Sequence, residues 1–350
     1  MNSGFWKDKR VFLTGHTGFK GGWLAIVLHR LGAQVTGYAL PPISDQTIFA
    51  ASAISRKIRN VIDDLRDLDA LKAAVREAKP EIVFHLAAQS LVRRSYGNPV
   101  ETYATNVMGT VNLLEAARAC DGLRAVIVAT SDKCYENRET GQAYHETDRL
   151  GGKDPYSSSK AAAEIVTAAY RSSFFPLSPA VATVRAGNVI GGGDWCEDRL
   201  VPDLMRGVIN KAPTLIRNPA AVRPWQHVLE PISGYLTVAE RLWAKDSEPP
   251  TTLNFGPDKE SERTVGSLAD LFCRLWGKGA AWKHIDDSRL AEAQLLRLDS
   301  SMARKVLGWN PRWNFEQAVE ATVEWYRALV ERQDVDQTTE RQIEAYFSAS

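Results

Sequence analysis

Five residues that read as a short buried strand, Arg10-Val-Phe-Leu-Thr14, run directly into Gly15-x-x-Gly18-x-x-Gly21 and then into an apolar helix from about Trp23 to Leu31. A strand delivered through glycines onto a helix N-terminus opens a dinucleotide-binding βαβ unit, and this commits the chain to an α/β fold. Gly15 allows the tight turn. Gly18 lets backbone N–H groups close on a pyrophosphate, where the helix dipole favours negative charge. Gly21 permits close packing of helix on strand. His16, Thr17 and Phe19 lie in the same loop and share its cofactor-binding assignment. Glycines at this spacing also occur in plain loops, but the flanking strand and helix favour the cofactor reading.

Strand-like and helix-like segments go on alternating through the first half. Ala33–Tyr38, Glu81–Leu86, Ala125–Ala129 and Ala180–Arg185 read as strands. Leu65, Leu68, Leu71 and Val75 recur at helical spacing, Pro99 opens a helix carrying Val107, Val111, Leu114 and Ala117, and Pro155 opens another. This alternation predicts a doubly wound parallel sheet of Rossmann type, with ligands at the carboxyl ends of its strands. Gly15, Ala87-Ala88, Ser131 and Asn188 each follow a predicted strand end, so they should converge on one cleft. Beyond about Gly191 the pattern changes to helices, near Ser233–Lys245, Val265–Trp276 and Asn314–Val330, joined by longer Trp-, Pro- and Arg-rich loops. The expected organisation is a cofactor domain over 1–190 and a smaller, mostly helical substrate domain over 191–350, with the chain free to cross back. The polar tail after Glu331 either frays or packs as one more helix.

Over 350 residues the net charge is +1, so there is no electrostatic footprint for nucleic acid or an anionic membrane. No apolar run approaches the length of a membrane span or resembles a signal peptide. Cys120, Cys134, Cys196 and Cys273 are widely spaced with no matching His cluster, which argues against zinc and disulfides. A soluble cytoplasmic protein is expected.

The chemistry concentrates in Ser131-Asp132-Lys133 and in Tyr156 with Lys160 four residues on. Positions four apart share a helix face, so the Lys160 ammonium is expected near whatever Tyr156 touches. A close cation favours phenolate and makes a tyrosine a better base. By itself the same spacing also describes an exposed helix face.

Taken in order, Thr14-Gly-x-x-Gly-Phe-x-Gly21, His85-Leu-Ala-Ala-Gln89, Asn106, Ser131-Asp-Lys133 and Tyr156-Ser-Ser-Ser-Lys160 resemble the extended short-chain dehydrogenase/reductase superfamily, and within it the nucleotide-sugar 4,6-dehydratases. Thr14–Trp23, Arg185–Trp195 and Arg223–Pro231 narrow the resemblance to the branch acting on CDP-glucose. The resemblance implies tightly held NAD and a redox-neutral reaction. Tyr156, helped by Lys160 and Ser131, would deprotonate the C4 hydroxyl as hydride leaves C4. The ketone acidifies the C5 proton, water is lost across C5 and C6, and the hydride returns at C6. In relatives acting on dTDP-glucose the position of Asp132 is the acid and the next residue is a glutamate base. Here that residue is Lys133, which either takes the C5 proton or only neutralises Asp132 or the cofactor phosphates.

The resemblance also places Asp64 and Leu65 at the adenine, and Leu86, Ala87, Ala88 and Thr130 along the ribose and nicotinamide side. The second strand ends Gly37-Tyr38-Ala39 without the usual acidic residue, so NAD binds more weakly or its ribose finds another partner. Arg56 and Lys57 leave NADP open. For the substrate, Arg199, Arg217 and Arg223 are candidates for the diphosphate, with Asn188 as a donor. Asp194, Trp195 and His227 lie in the same subgroup stretches, and Trp195 and Trp225 either shape the base pocket or fill core. A nucleotide-sugar 4-epimerase is the nearest enzymatic alternative, and a non-catalytic dinucleotide sensor the alternative of another class. The superfamily implies a homodimer through 99–118 and 155–171, with a tetramer also open.

Overall fold

The computed structural model describes residues 3–138, 141–176, 178–244, 250–285 and 296–349. Its central sheet has seven strands: β1 (Arg10–Thr14), β2 (Gln34–Ala39), β3 (Arg59–Ile62), β4 (Ile82–His85), β5 (Ala125–Ala129), β6 (Ala180–Ala186) and β7 (Thr252–Phe255). All pair in parallel, in the order β7-β6-β5-β4-β1-β2-β3. Successive side chains point to opposite faces of a strand. Val11, Leu13, Ile82, Phe84 and Ile127 therefore feed one core, and Phe12, Val83, Val126 and Val128 the other. β4 and β5 are buried along their whole length, which explains their unbroken apolar runs. Strand order reverses between β1 and β4, so the crevice opens where Thr14 and His85 end their strands.

The longer helices are α1 (Phe19–Arg30), α2 (Leu68–Ala78), α3 (Gly109–Arg118), α4 (Pro155–Phe174), α5 (Leu200–Asn210), α6 (Leu229–Ala244), α7 (Val265–Trp276), α8 (Phe315–Val330) and α9 (Val335–Ser348). Asp67, Asp154, Thr264, Asn314 and Asp334 cap the N-termini of α2, α4, α7, α8 and α9 with their side chains. The helix expected from Pro99 is interrupted: Pro99–Tyr103 leads into a widened π turn, Ala104–Met108, before α3. The expected end of α6 at Lys245 lies outside the described residues.

Two sheet strands lack a clear sequence signal. β3 is a half-exposed edge, and β7 comes from beyond residue 190, pairing Thr252–Phe255 with Thr183–Ala186. α6 packs across β5 and β6. The polar tail packs as α9 through Val335, Thr339, Ile343 and Tyr346.

Glu230, with no exposed surface at the start of α6, ties that helix to the C-terminal segment. Its carboxylate accepts the backbone N–H of Arg312 at 3.0 Å and of Trp313 at 2.8 Å, and the Tyr346 hydroxyl at 2.6 Å. Burial outweighs these bonds and pushes its pKa up to about 7. A folded pKa above the ordinary value means the folded chain holds the proton that the unfolded chain releases from about pH 4.5 upward. The stabilisation is complete at low pH and is lost as pH rises through about 7. Relative to Glu230→Gln, wild type should lose roughly 2–4 kcal/mol of stability between pH 5 and pH 8 in urea unfolding. A pH-independent difference between the two proteins would refute it.

Candidate active site

The glycine turn has the close approaches that its sequence demands. Gly15 sits at φ +79, and a Cβ there would lie 2.6 Å from the Ala87 nitrogen. A Cβ on Gly21 would lie 2.0 Å from the Gly15 carbonyl oxygen, so the first turn of α1 rests against the loop. Gly18 is exposed at the helix N-terminus, and α1 has no side-chain cap. The N–H groups of that first turn are therefore presented to the crevice, which fits an incoming pyrophosphate.

Thr17 and Phe19 are buried, with the Thr17 hydroxyl donating to the Leu40 carbonyl at 2.8 Å. Where an acidic residue usually ends the second strand, the His16 ring covers Gly37, and its Nε2 lies 2.6 Å from Asn60 Oδ1. Burial holds His16 below the ordinary imidazole pKa. Leu65 is buried beneath Gly109, and the Asp64 carboxylate is clasped by Arg66 Nε and backbone N–H, which keeps it ionised. Leu86, Ala87 and Ala88 are half-buried past β4, the Ala87 N–H bonded to Thr14 at 3.2 Å. His85 is fully enclosed between Thr14 and Thr110, and burial drops its pKa to about 3.

At the end of β5 the Ser131 hydroxyl donates to Asp132 Oδ1 at 2.8 Å and accepts the Lys133 N–H at 3.2 Å. Gly187 makes room for this turn, since a Cβ there would lie 3.0 Å from Asp132 Oδ2. Ser131 and Asp132 are buried and Lys133 is half-buried. Opposite them, Asp154 caps α4 and Pro155 starts it, bringing Tyr156 and Lys160 against the strand end. Asn106, in the π turn, donates to the Gln89 carbonyl and to Ser159, both at 2.9 Å, bracing the same helix. π turns of this kind recur at functional sites.

The charge on Tyr156 differs from the sequence expectation. Burial pushes the phenol up to about 12; Ser131 and Arg199 pull it down, while Asp132 and Asp154 oppose them. Lys160 instead donates to the Ala129 carbonyl at 3.3 Å, and burial lowers its pKa to about 8. Sharing a helix face does not fix where a four-carbon side chain ends.

Sequence reasoning missed Lys20. Lys20 is half-buried, its ammonium 5.9 Å from the centre of the Tyr235 ring, and its pKa is lowered to about 8 by desolvation and by Arg199 and Lys160, with Asp132 acting against them. The signal was available: a cation in the first turn of a helix opposes the dipole and needs another reason to be there.

Arg199 reaches the cleft, held by Asp194 at 2.8 Å and by Ser90 at 3.0 Å. Asn188 is half-buried just past β6, and Arg217 pairs with Asp198. Arg223 donates to the Val222 carbonyl on the strand Val222–Pro224. Trp195 and Trp225 are core, their indole N–H groups satisfied by the Gln46 and Arg263 carbonyls. His227 is likewise core rather than cleft, with no exposed surface, between Trp23 and Trp313. Burial keeps it neutral, with a pKa near 3. Among the described residues no group of three or more His, Cys, Asp or Glu is placed to hold a metal ion, and no helix is long and apolar enough to cross a membrane.

A parallel sheet with a glycine-turn crevice and a Ser/Tyr/Lys cluster at its carboxyl edge defines a short-chain dehydrogenase/reductase architecture. Comparison with known proteins bears this out. The family described as GDP-mannose 4,6 dehydratase matches residues 12–322. A CDP-glucose 4,6-dehydratase of Salmonella typhimurium is 46% identical over 358 residues, covering 100% of this chain and 99% of that protein. A dTDP-glucose 4,6-dehydratase of Neisseria gonorrhoeae is 26% identical, covering 91% and 95%. The solved UDP-glucose 4-epimerase of Thermotoga maritima shares the fold at a TM-score of 0.80 and 21% identity, over 91% of this chain and 99% of that one. The chain belongs to the nucleotide-sugar 4,6-dehydratase family of extended short-chain dehydrogenases/reductases.

Beneath the cleft lies a second feature that the sequence did not announce. Glu164, one turn beyond Lys160, forms an ion pair with Arg185 at 2.8 Å, both side chains only 3% exposed. The carboxylate also accepts the hydroxyls of Thr130 and Thr183, and Arg185 donates to the Tyr135 hydroxyl at 2.6 Å. Removing one partner would strand a buried charge. Glu164→Ala should cost about 3–5 kcal/mol in urea unfolding, and adding Arg185→Met should recover much of that loss. A Glu164→Ala protein as stable as wild type would sink the assignment.

Proposed function

We propose that this chain converts CDP-glucose to CDP-4-keto-6-deoxyglucose as an NAD-dependent 4,6-dehydratase. What carries the reading is identity with a CDP-glucose 4,6-dehydratase along the whole chain, joined to an intact Ser131, Asp132, Lys133, Tyr156 and Lys160 set at one sheet edge. The uncapped α1 terminus over Gly15 and Gly18 supports NAD binding there, with Leu65, Ala87 and Ala88 along the crevice. NAD bound there would supply the hydride acceptor for C4 oxidation and the hydride donor for C6.

The protein's own residues then have proton work to do. Tyr156 takes the C4 hydroxyl proton, and with a phenol near pKa 12 it depends on neighbours that stabilise phenolate. Arg199 supplies that help directly, and the Ser131 hydroxyl does so when it turns from Asp132 to the phenol. Lys160, lowered to about 8, keeps the strand end positive at neutral pH. Oxidation at C4 makes the C5 proton acidic. Lys133 accepts it while Asp132, fixed by Ser131, protonates the departing C6 hydroxyl. An epimerase needs no acid and base at C5 and C6, which is why the pair Asp132-Lys133 favours dehydration.

The face proposed for a homodimer carries Val100, Ile165 and Met108, exposed by 81%, 59% and 53%, more than isolated surface residues require. Four unpaired cysteines fit a reducing, cytoplasmic setting.

Incubation with CDP-glucose and NAD in D2O tests the reaction directly. Loss of one water with deuterium at C5 is expected by mass spectrometry and NMR; a product of unchanged mass inverted at C4 would make the protein an epimerase. Tyr156→Phe should lower kcat by about 10²–10⁴-fold. Lys133→Ala should abolish solvent exchange at C5, whereas exchange at the wild-type rate would reassign the base.

A further inference from the structure

On the proposed reaction Asp132 hands a proton to the departing C6 hydroxyl, yet its surroundings treat it as an anion. Its Oδ1 accepts the Ser131 hydroxyl at 2.8 Å. Tyr156 is the opposite case: assigned as a base, it keeps its proton, chiefly through burial and further through the Asp132 charge. The base therefore starts with the proton that the acid lacks. Ser131 stands between the two, bonded to Asp132 and also a hydrogen-bond neighbour of the phenol. A hydroxyl accepts one proton as it gives up another, so it passes protons on without holding charge.

The three groups are held in place from two elements. Ser131 and Asp132 follow the end of β5, where the Ser131 hydroxyl also accepts the Lys133 N–H at 3.2 Å. Tyr156 lies in the first turn of α4, its N–H bonded to Ser95 at 3.2 Å. Ser131, Asp132 and Tyr156 are exposed by only 6%, 5% and 7%, so bulk water is a poor proton acceptor here. Among the described residues no other hydrogen bond reaches the Asp132 carboxylate. Its Oδ2 lies beside Gly187, where no side chain fills the space.

We propose that Ser131 relays a proton from Tyr156 to Asp132, so that the proton equivalent lost by the C4 hydroxyl arms Asp132 for the C6 hydroxyl. This rests on the 4,6-dehydratase reading above. As hydride leaves C4, the C4 hydroxyl gives its proton to the Tyr156 oxygen. The phenol passes its own proton to Ser131, and Ser131 passes its own to Asp132. Tyr156 and Ser131 end neutral, as they began, and Asp132 becomes a carboxylic acid. C5 then gives its proton to the Lys133 amine, while Asp132 protonates the departing C6 hydroxyl and is a carboxylate again. Hydride return at C6, with the Lys133 proton returned to C5, leaves every side chain in its starting state. No phenolate accumulates, so a phenol raised to about 12 still works at neutral pH.

Rapid-mixing kinetics separate the two halves: reduced nicotinamide reports C4 oxidation, and the 4-keto-6-deoxy product reports water loss. For Asp132→Asn, a field effect and a relay predict opposite signs. If Asp132 acts on Tyr156 only through its charge, removing that charge eases phenol ionisation and speeds C4 oxidation. The relay predicts oxidation slowed by about 10²-fold, because the last acceptor is gone. Ser131→Ala should slow it similarly and Ser131→Thr should restore it. The double variant Ser131→Ala with Asp132→Asn should be no slower than Ser131→Ala, as for groups that act as one unit. Oxidation at or above the wild-type rate in Asp132→Asn, with a 4-ketoglucose nucleotide accumulating, would overturn the relay. So would losses that multiply in the double variant. Every protein is run with CDP-glucose and with UDP-glucose. Wild-type turnover of UDP-glucose alone removes the CDP-glucose assignment while the same variants still score the relay, and wild type that oxidises neither sugar overturns both.

Discussion

Glu164 joins a helix and two strands through a single carboxylate. It takes the Thr130 hydroxyl from the end of β5 and Thr183 and Arg185 from β6, while its own helix carries Lys160 one turn earlier and Tyr156 two turns earlier. The ion pair is almost fully desolvated, so it is tolerable only with every bond in place. A slip of α4 by one residue would turn the carboxylate about 100° away from these partners. The register that satisfies Glu164 is thus the register that sets Tyr156 opposite Ser131. The network reaches further, because Tyr135 passes from Arg185 to Asn254 on β7 at 2.8 Å. A strand from the second half of the chain is thereby tied to the sheet edge that carries Ser131 and faces Tyr156.

Above that anchor the cleft gathers positive charge. Lys20, Lys160 and Arg199 are close enough to feel one another, and Asp132 is the acid among them. Desolvation is the largest single influence on each of these cations and on the Tyr156 phenol, although at Arg199 the anionic partners led by Asp194 outweigh it. The two lysines stand near pKa 8, charged at neutral pH but not firmly so. Such a field is poorly matched to an empty protein and well matched to an anionic substrate whose sugar gains negative charge beside a ketone. Preorganised cations in a dry site are worth more there than in water.

What could be read beforehand divides along the range of the forces involved. The strand, glycine turn and first helix were legible because each demand is local: Gly15 needs its positive φ, and Gly21 needs contact with the loop. The span of α7 was legible as an apolar helix near Val265–Trp276. β3 and β7 were not, since four residues carry too little pattern and their pairing partners lie elsewhere in sequence. α9 buries Thr338, Thr339 and Gln342 among its contacts, a polar stripe that no hydrophobic scan detects. His227 shared a stretch with residues that suggest substrate, yet its ring fills core between two tryptophans. The Glu164–Arg185 pair needed the third dimension, because 21 residues separate its members.

Lys133 poses the remaining chemical problem, and its setting suggests how the problem is solved. A lysine serves as a base only when its ammonium is pulled towards neutrality, through desolvation or neighbouring cations. Lys20 meets both conditions already, but Lys133 is half-buried at the rim, and its ammonium makes no hydrogen bond or ion pair among the described residues. On the proposed reaction this difference is useful. A nucleotide sugar covering the turn at Ser131 would displace water from around the half-buried Lys133 side chain. On the proposed reaction, that desolvation would favour the neutral amine only with the substrate in place, at the step where C5 gives up its proton.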